Sequence, residues 1–255
     1  MKIFVCVKNV PDTAASIKVL GGNSFDESVK FLINPYDEFA IEEAARLVEK
    51  EGGEVVVVTL GKPTAMATVR SALALGAHRA ILVTTDKQFI DSADTAAILK
   101  KVMEDDGPAD LIFTGKQAID SEAMQTSYRL AAGLGIPVAS DVTMFSVAGG
   151  KVVVERVIGG GEKEVIEMSM PCVVAATKGL NVPRYPKLPD VMKAKKKEVK
   201  QIALADLGLT PNAGTELLSL EPVPERSNAR IFGGSVKEAV AELVRVLKEE
   251  EKVLG

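Results

Sequence analysis

The chain has 255 residues, of which 47% are apolar and 4% aromatic, and it carries a net charge of −4. This length suits one α/β domain with an extension, or two small domains. With so few aromatic residues the core must consist of Val, Ile, Leu and Ala, which is typical of buried parallel strands covered by helices. The negative net charge argues against a general nucleic-acid-binding protein.

Cysteine and histidine usage limits the chemistry that the chain can perform. Cys6 and Cys172 lie far apart in predicted strands, so we expect reduced core thiols and a cytoplasmic protein. His78 is the single histidine, and without a second one nearby no metal site is predicted. No apolar run approaches transmembrane length, so membrane insertion is not expected, and no secretion signal is expected because the N-terminus enters a strand at once.

Strands and helices alternate through the first half of the chain. Short apolar strands are predicted at residues 2–8, 54–60, 79–83 and 110–114. Helices are predicted at residues 36–51, 63–75, 94–104 and 121–134. This alternation predicts an α/β fold, a Rossmann-like doubly wound parallel sheet of the adenine-nucleotide-binding, stress-protein-like kind.

The pattern changes after residue 140, where strands follow one another without helices. They are predicted at residues 140–147, 151–158, 163–169 and 172–177, as an antiparallel meander closing the edge of the sheet. The triplet Gly159–Gly161 is interpreted as a hairpin turn, because no helix follows it. Residues 201–230 are predicted to be irregular, and Ser235 and Glu238 form a capping box that opens a final helix. That helix either returns to the core or extends as an arm over a partner subunit.

The segment NVPRYPKLPDVMKAKKK, residues 181–197, is unlike the core elements. Its three prolines fall within seven residues, so neither a helix nor a central strand is expected to run through them. Seven basic and two acidic residues between Arg184 and Lys200 give a local charge of +5 beside the apolar Leu188. These features predict a stiff docking loop with one apolar anchor, and the alternative is a solvated loop leading into a lysine-faced helix.

Three segments are expected beyond the carboxyl ends of the strands, at the sheet edge where open parallel sheets bind ligands. Residues 6–13 end the first strand, and in residues 34–37 an Asn N-cap and a Pro leave helix amides free for an anion. Residues 115–120 offer a glycine for close approach, Lys and Gln donors, and an Asp that would cap the next helix or hold a ribose hydroxyl. Gln125 and Thr126 are expected one turn into that helix, facing the same cleft. The usual phosphate-loop motifs are missing, so the segments predict a nucleotide that is held without hydrolysis, and no self-sufficient active site.

With the motifs VKNVPDT, NPYDEFAIEEA, SALALGAHRA, GKQAID and PRYPKLPDVMKAKKK, the chain resembles β subunits of electron transfer flavoproteins over nearly its full length. The resemblance implies a heterodimer with an α subunit, in which FAD lies at the subunit interface and the β subunit buries an adenine nucleotide. It implies a nucleotide site made of Cys6, Asn34, Pro35, Tyr36, Asp37, Leu60, Gly115, Lys116, Gln117, Ala118, Ile119, Asp120, Gln125 and Thr126.

The resemblance also implies that Leu188 enters partner flavin dehydrogenases, such as acyl-CoA dehydrogenases. The side chains expected beside it are Tyr185, Pro189 and Lys193. Electron-bifurcating members hold a second FAD in place of AMP, and two motifs of this chain resemble theirs. The residues that would then line the second FAD are Asp12, Thr13, Asp94 and Thr95. GKQAIDSEAMQT is closer to the AMP-binding form, so both AMP and a second FAD stay open, with a slight preference for the bifurcating form.

The expected organisation has three parts. Residues 1–180 form the nucleotide-binding domain, residues 181–200 the recognition loop with its lysine-rich continuation, and residues 201–255 an arm that packs on the α subunit. The main alternative function is a stand-alone adenine-nucleotide sensor of the stress-protein kind, which would bind ATP as a homodimer. An adenylating ligase is disfavoured by the missing pyrophosphate loop.

Overall fold

The computed structural model describes residues 1–209, 214–222 and 229–254. It forms two compact units, Met1–Leu220 and Glu221–Gly255. No helix within the described ranges is long and apolar enough to cross a membrane.

Strands and helices of the first unit follow the predicted alternation. The strands are β1 (Lys2–Cys6), β2 (Asn9–Pro11), β3 (Val19–Leu20), β4 (Ser24–Phe25), β5 (Phe31–Ile33), β6 (Glu54–Gly61), β7 (Arg79–Thr84), β8 (Leu111–Gly115), β9 (Val138–Ala148), β10 (Lys151–Gly159), β11 (Glu162–Ser169), β12 (Cys172–Ala176) and β13 (Val199–Ala203). The helices are α1 (Pro35–Glu51), α2 (Met66–Ala74), α3 (Ser92–Asp106), α4 (Thr126–Leu134) and α5 (Leu188–Ala194).

The main sheet has the strand order β11-β10-β9-β12-β8-β1-β6-β7-β13. Its centre is parallel, since β1 pairs in parallel with both β6 and β8. Helices α1 and α2 pack on one face and α3 and α4 on the other, and each face has its own cluster of buried Val, Ile, Leu and Ala side chains. The predicted doubly wound parallel sheet with an antiparallel edge is confirmed. Its central strands are apolar on both faces, and helices on both faces cover them.

The antiparallel meander is confirmed for β9, β10 and β11, with hairpin turns at the two glycine clusters. Its predicted fourth strand is wrong. β12 pairs in parallel with both β8 and β9, and therefore lies inside the sheet. All five of its residues are buried, as expected for a strand covered on both faces, and this continuous apolar run differs from the alternating pattern of an exposed meander.

The irregular segment predicted from residue 201 begins too early. β13 pairs in parallel with β7, so the main sheet includes residues that we expected in the C-terminal arm. Its pattern is weak because β13 is an edge strand in which Lys200 and Gln201 are exposed, and charged or polar side chains are usual on such edges. The irregular prediction also covers residues 210–213 and 223–228, which lie outside the described residues.

Helix α4 begins five residues later than predicted, at Thr126 instead of residue 121. Glu122 and Met124 have φ angles of 49° and 54°, which a right-handed helix does not accommodate. Gln125 is therefore the N-cap residue and Thr126 the first helical residue, so neither lies one turn into the helix.

The prediction of a docking loop without a helix is also wrong, because α5 starts within this segment at Leu188. Pro189 is the second residue of this helix. N–H groups in the first turn of a helix have no acceptor within the helix, so a proline there loses no hydrogen bond. The carboxylate of Asp190 accepts a hydrogen bond from the Lys187 N–H at 3.3 Å and so caps the helix start. Leu188 is thus presented by a helical turn instead of an extended loop.

The second unit contains α6 (Val236–Arg245) and a π-helical turn, Val246–Glu250. The predicted capping box is confirmed, since the Ser235 N–H donates to Glu238 at 2.8 Å and the Glu238 N–H donates to the Ser235 hydroxyl at 3.4 Å. The exposed apolar side chains of α6 are Val236, Val240, Leu243 and Val244.

Candidate functional site

The strand order places a switch point at the centre of the sheet. From β1 the chain builds outward through β6 and β7, then returns to add β8 on the opposite side of β1. A crevice is expected beyond the carboxyl ends of β1 and β8, where the helices that follow them diverge. The predicted ligand segments at residues 6–13 and 115–120 leave the sheet at this point.

Asp37 braces the two strand ends from the first turn of α1. Its buried carboxylate accepts hydrogen bonds from the Lys8 N–H at 2.7 Å, the Gly115 N–H at 3.1 Å and the Asn34 side-chain amide at 2.9 Å. Burial raises the pKa of Asp37 to about 7, while these three donors and the Lys8 charge act in the opposite direction. Because its oxygens are already occupied, Asp37 shapes the crevice instead of presenting a free acceptor to it.

Asn34 orders the loop that follows β8. Its amide donates to the Gln117 carbonyl at 2.8 Å, and its side-chain oxygen accepts from the Ile119 N–H at 3.1 Å. The side chain therefore makes no capping bond to α1, although Asn34 occupies the N-cap position and Pro35 follows as the first helical residue. The predicted segments at 34–37 and 115–120 are thus in direct contact.

Gly115 is where these segments approach most closely. A Cβ at this position would lie 2.3 Å from Asp37 Oδ1 and 2.7 Å from Tyr36 Cβ, closer than such atoms approach one another. Only glycine fits here, so the predicted close backbone approach is real, but the neighbour that requires it is α1.

The loop ahead of α4 is fixed by side-chain contacts at both ends. Asp120 Oδ1 lies 2.7 Å from Lys8 Nζ. Gln125 Oε1 accepts hydrogen bonds from the Ser92 hydroxyl at 3.1 Å and from Arg129 Nη2 at 2.8 Å, linking α3 to α4. Together with the two left-handed residues, these contacts hold a strained loop, which is typical of ligand-binding sites.

Lys116 has its charge satisfied within the chain. Its Nζ lies 3.0 Å from Asp141 Oδ1 and 5.4 Å from the centre of the Tyr36 ring. Asp141 has a φ of 56° beside a bulge in β9. Sequence reasoning missed Asp141, since nothing in an apparent strand indicates a left-handed residue.

Two further residues at this edge were missed, Thr114 and Ser127. Their hydroxyl oxygens are buried and have no hydrogen-bond partner among the described residues. Thr114 ends the apolar run of β8 directly before Gly115, and Ser127 is the second residue of α4. Leaving a buried hydroxyl without a hydrogen bond costs about 1–3 kcal/mol of folding free energy. A polar group of a bound ligand would remove this cost at both positions. For Thr114 the sequence did contain a signal, a hydroxyl residue at the end of the apolar run of β8.

Cys6 and Leu60 pack against the apolar cluster on the α3/α4 face. Burial, together with the Asp37 charge, raises the pKa of the Cys6 thiol. Both cysteines are free thiols, as predicted. The thiol of Cys6 therefore stays protonated and contributes an apolar surface at this edge of the sheet.

The residues proposed for a second FAD lie in the loop after β2 and in the first turn of α3. Asp12 accepts from the Ala14 N–H at 3.1 Å and lies 3.4 Å from Lys30 Nζ, both within its own loop. Thr13 is exposed, and Asp94 and Thr95 lie in the first turn of α3.

The predicted recognition residues form an exposed surface. Tyr185 is 95% exposed and Leu188 76%, and Pro189 and Lys193 are exposed beside them. Met192, which was not predicted, adds a further half-exposed apolar side chain on α5.

Comparisons with known proteins find relatives that align with this sequence along its whole length. The model of the electron transfer flavoprotein domain matches residues 23–207. The chain is 41% identical to the electron transfer flavoprotein subunit beta of Bradyrhizobium diazoefficiens and 37% identical to that of Bacillus subtilis, in each case over 100% of both chains. It is 36% identical to the protein of the same name from Homo sapiens, over 98% of this chain and 97% of the human one. The chain therefore belongs to the family of electron transfer flavoprotein β subunits.

Proposed function

We propose that the chain pairs with an electron transfer flavoprotein α subunit, helps to enclose the FAD of that subunit, and carries electrons from flavin dehydrogenases to a redox acceptor in the cytoplasm. Family membership supports the role of electron carrier. The exposed apolar face of α6 supports the arm that packs on the α subunit. The exposed surface around Leu188 supports docking to dehydrogenases such as acyl-CoA dehydrogenases, with Leu188 as the anchor.

In this proposal the crevice expected beyond the carboxyl ends of β1 and β8 binds an adenine nucleotide. The observation that carries it is the pair of buried, unpartnered hydroxyls of Thr114 and Ser127 beside the braced loop. Cys6 and Leu60 supply apolar walls to the site. The loop supplies backbone and side-chain polar groups from Gly115, Lys116, Gln117, Ala118, Ile119, Asp120, Gln125 and Thr126.

AMP fits this site better than a second FAD. A dinucleotide adds a second phosphate, for which the start of α3 is the natural anion site. The Asp91 carboxylate already accepts from the Ala93 N–H there, at 2.6 Å, and the Thr95 N–H donates to the Asp91 carbonyl at 2.9 Å. A second FAD reaching Asp94 and Thr95 would have to displace this cap, so we favour a single-flavin carrier with AMP.

Conservative removal of the two hydroxyls tests the nucleotide site. Thr114→Val and Ser127→Ala each delete a hydroxyl that is unpaired in the chain itself, so the free energy of unfolding without nucleotide should not fall. We expect heterodimers of these variants, purified with the α subunit, to keep their FAD and to bind AMP about tenfold more weakly, as measured by calorimetry. Unchanged AMP affinity in both variants would place the nucleotide elsewhere.

A further inference from the structure

The docking segment, residues 181–197, is bound to α1 at its start. The Arg184 N–H and Nε donate to Glu42 Oε2 at 3.1 and 2.7 Å, and Arg184 Nη2 donates to Glu49 Oε2 at 3.1 Å. Glu42 is only 3% exposed. Burial alone would raise its pKa, but the hydrogen bonds from Arg184 and Arg46 outweigh burial and hold the pKa below its usual value. Arg184 is therefore neutralised within the chain.

Neighbouring polar groups strengthen this first attachment. The Asn181 amide donates to the Phe39 carbonyl at 3.0 Å and to Glu43 Oε2 at 2.8 Å. Arg46 Nη2 donates to the Val182 carbonyl at 3.3 Å. One face of α1 thus holds both the side chains and the backbone of the segment.

A second attachment lies at the end of the segment, on α2. Arg70 Nη1 donates to the carbonyls of Ala194 and Lys197, at 2.8 and 2.6 Å. Lys197 Nζ in turn donates to the carbonyls of Leu73, at 2.9 Å, and Ala77 at the carboxyl end of α2. A cation at this end of a helix is also favoured by the helix dipole.

The part of the segment between the attachments faces solvent. Its large exposed apolar side chains are Tyr185, Leu188, Val191 and Met192. The exposed ammonium groups belong to Lys187, Lys193, Lys195 and Lys196. The basic residues of this segment therefore fall into two classes, partly buried attachments and exposed charges, which the sequence does not distinguish.

We infer that Arg184 and Lys197 are positioning residues that clamp the docking segment in its binding conformation, while the exposed lysines alone provide charge to the partner. The inference rests on the proposed docking function. A segment that is already ordered loses less conformational entropy on binding, so the clamps increase affinity without touching the dehydrogenase. Exposed charges instead raise the association rate, and their effect weakens as salt is added.

Three variants in the purified α/β heterodimer separate these roles. Arg184→Met removes a clamp, Lys195→Met removes one exposed charge and serves as the matched control, and Leu188→Ala removes the anchor. Amide hydrogen exchange of residues 181–197 reports the clamp directly, without any partner. The heterodimer concentration that half-saturates a purified acyl-CoA dehydrogenase, measured at low and high salt, reports docking.

For Arg184→Met we expect exchange in the segment to become about tenfold faster and the half-saturating concentration to rise about tenfold, with an unchanged salt dependence. For Lys195→Met we expect unchanged exchange and a weaker salt dependence. Glu49→Gln, which alters an exposed partner of Arg184, should change exchange in the same direction by about threefold and controls for misfolding of Arg184→Met.

Unchanged exchange in both Arg184→Met and Glu49→Gln would overturn the clamp, as would an Arg184→Met variant that alters docking only through its salt dependence. Wild-type half-saturation by Leu188→Ala would instead overturn the proposed docking function. The exchange measurement would in that case still decide whether the segment is clamped.

Discussion

Gly115→Ala is the substitution that tests the braced crevice most severely. The added Cβ would lie 2.3 Å from Asp37 Oδ1, 2.7 Å from Tyr36 Cβ and 2.9 Å from the Tyr36 carbonyl carbon. Two of these atoms belong to the start of α1 and cannot move away by a side-chain rotation. The helix must therefore shift away from β8, which stretches the 3.1 Å hydrogen bond from the Gly115 N–H to Asp37.

Two effects contribute to the expected loss of stability. Overpacking at a rigid contact costs about 1–3 kcal/mol, and the weakened hydrogen bond to a charged acceptor about 1.5–3 kcal/mol. The two contributions add to about 2.5–6 kcal/mol, which in a chain of this size lowers the melting temperature by roughly 5–20 °C.

Thermal unfolding followed by far-ultraviolet circular dichroism measures this difference, with Gly133→Ala as the matched control. Gly133 lies inside α4, where a Cβ would meet only Lys100 Cδ at 3.6 Å, an ordinary contact. Its replacement by alanine should leave the melting temperature unchanged or raise it slightly, since alanine favours the helix by about 1 kcal/mol. Equal melting temperatures for the two variants would refute the close approach of α1 and β8.

Three other predictions follow from single sites. Arg79→Met removes hydrogen bonds to Glu54 and Asp106 and should lower the free energy of unfolding by about 2–3 kcal/mol in urea titrations. Although burial opposes it, Arg79 lowers the pKa of Asp106, so this stabilisation is present above the usual carboxyl pKa. It should begin to decrease near that pKa and be lost as the pH falls through the lowered pKa of Asp106, and a difference that stays constant with pH would contradict this. Leu188→Ala should slow electron transfer from the dehydrogenase without loss of bound FAD, and unchanged transfer kinetics would refute the anchor. Burial raises the pKa of Cys172 to about 11 and also raises that of Cys6, so iodoacetamide at pH 8 should modify neither thiol until the chain is unfolded.

The sequence predicted the centre of the fold because each parallel strand is a short, fully apolar run. The position of β12 was predicted wrongly from its place directly after three antiparallel strands, although its continuous apolar run is typical of a strand covered on both faces. β13 was missed because an edge strand with exposed Lys200 and Gln201 lacks an apolar run. The start of α4 was misplaced because Glu122 and Met124, residue types that favour helices, adopt left-handed backbone angles.

The candidate site shows a similar division. Gly115 and Asn34 could be selected from their residue types and their places after a strand and before a helix. The segments that contain them, residues 34–37 and 115–120, are in contact in the structure. The partner of Lys116 is Asp141, a residue distant in sequence, and pairings of this kind have no local signal. Likewise the sequence predicted a basic docking segment, but only the contacts of Arg184 with Glu42 and Glu49 distinguish this paired charge from the exposed lysines.

Cofactor content tests the central claim most directly. The chain is purified together with its α subunit, the native mass of the complex is measured, and bound ligands are released with acid and counted. We predict an α/β heterodimer that holds one FAD and one AMP. Two FAD and no AMP would contradict the AMP site and establish the bifurcating form, while a homodimer that carries ATP and no flavin would contradict the role of electron carrier.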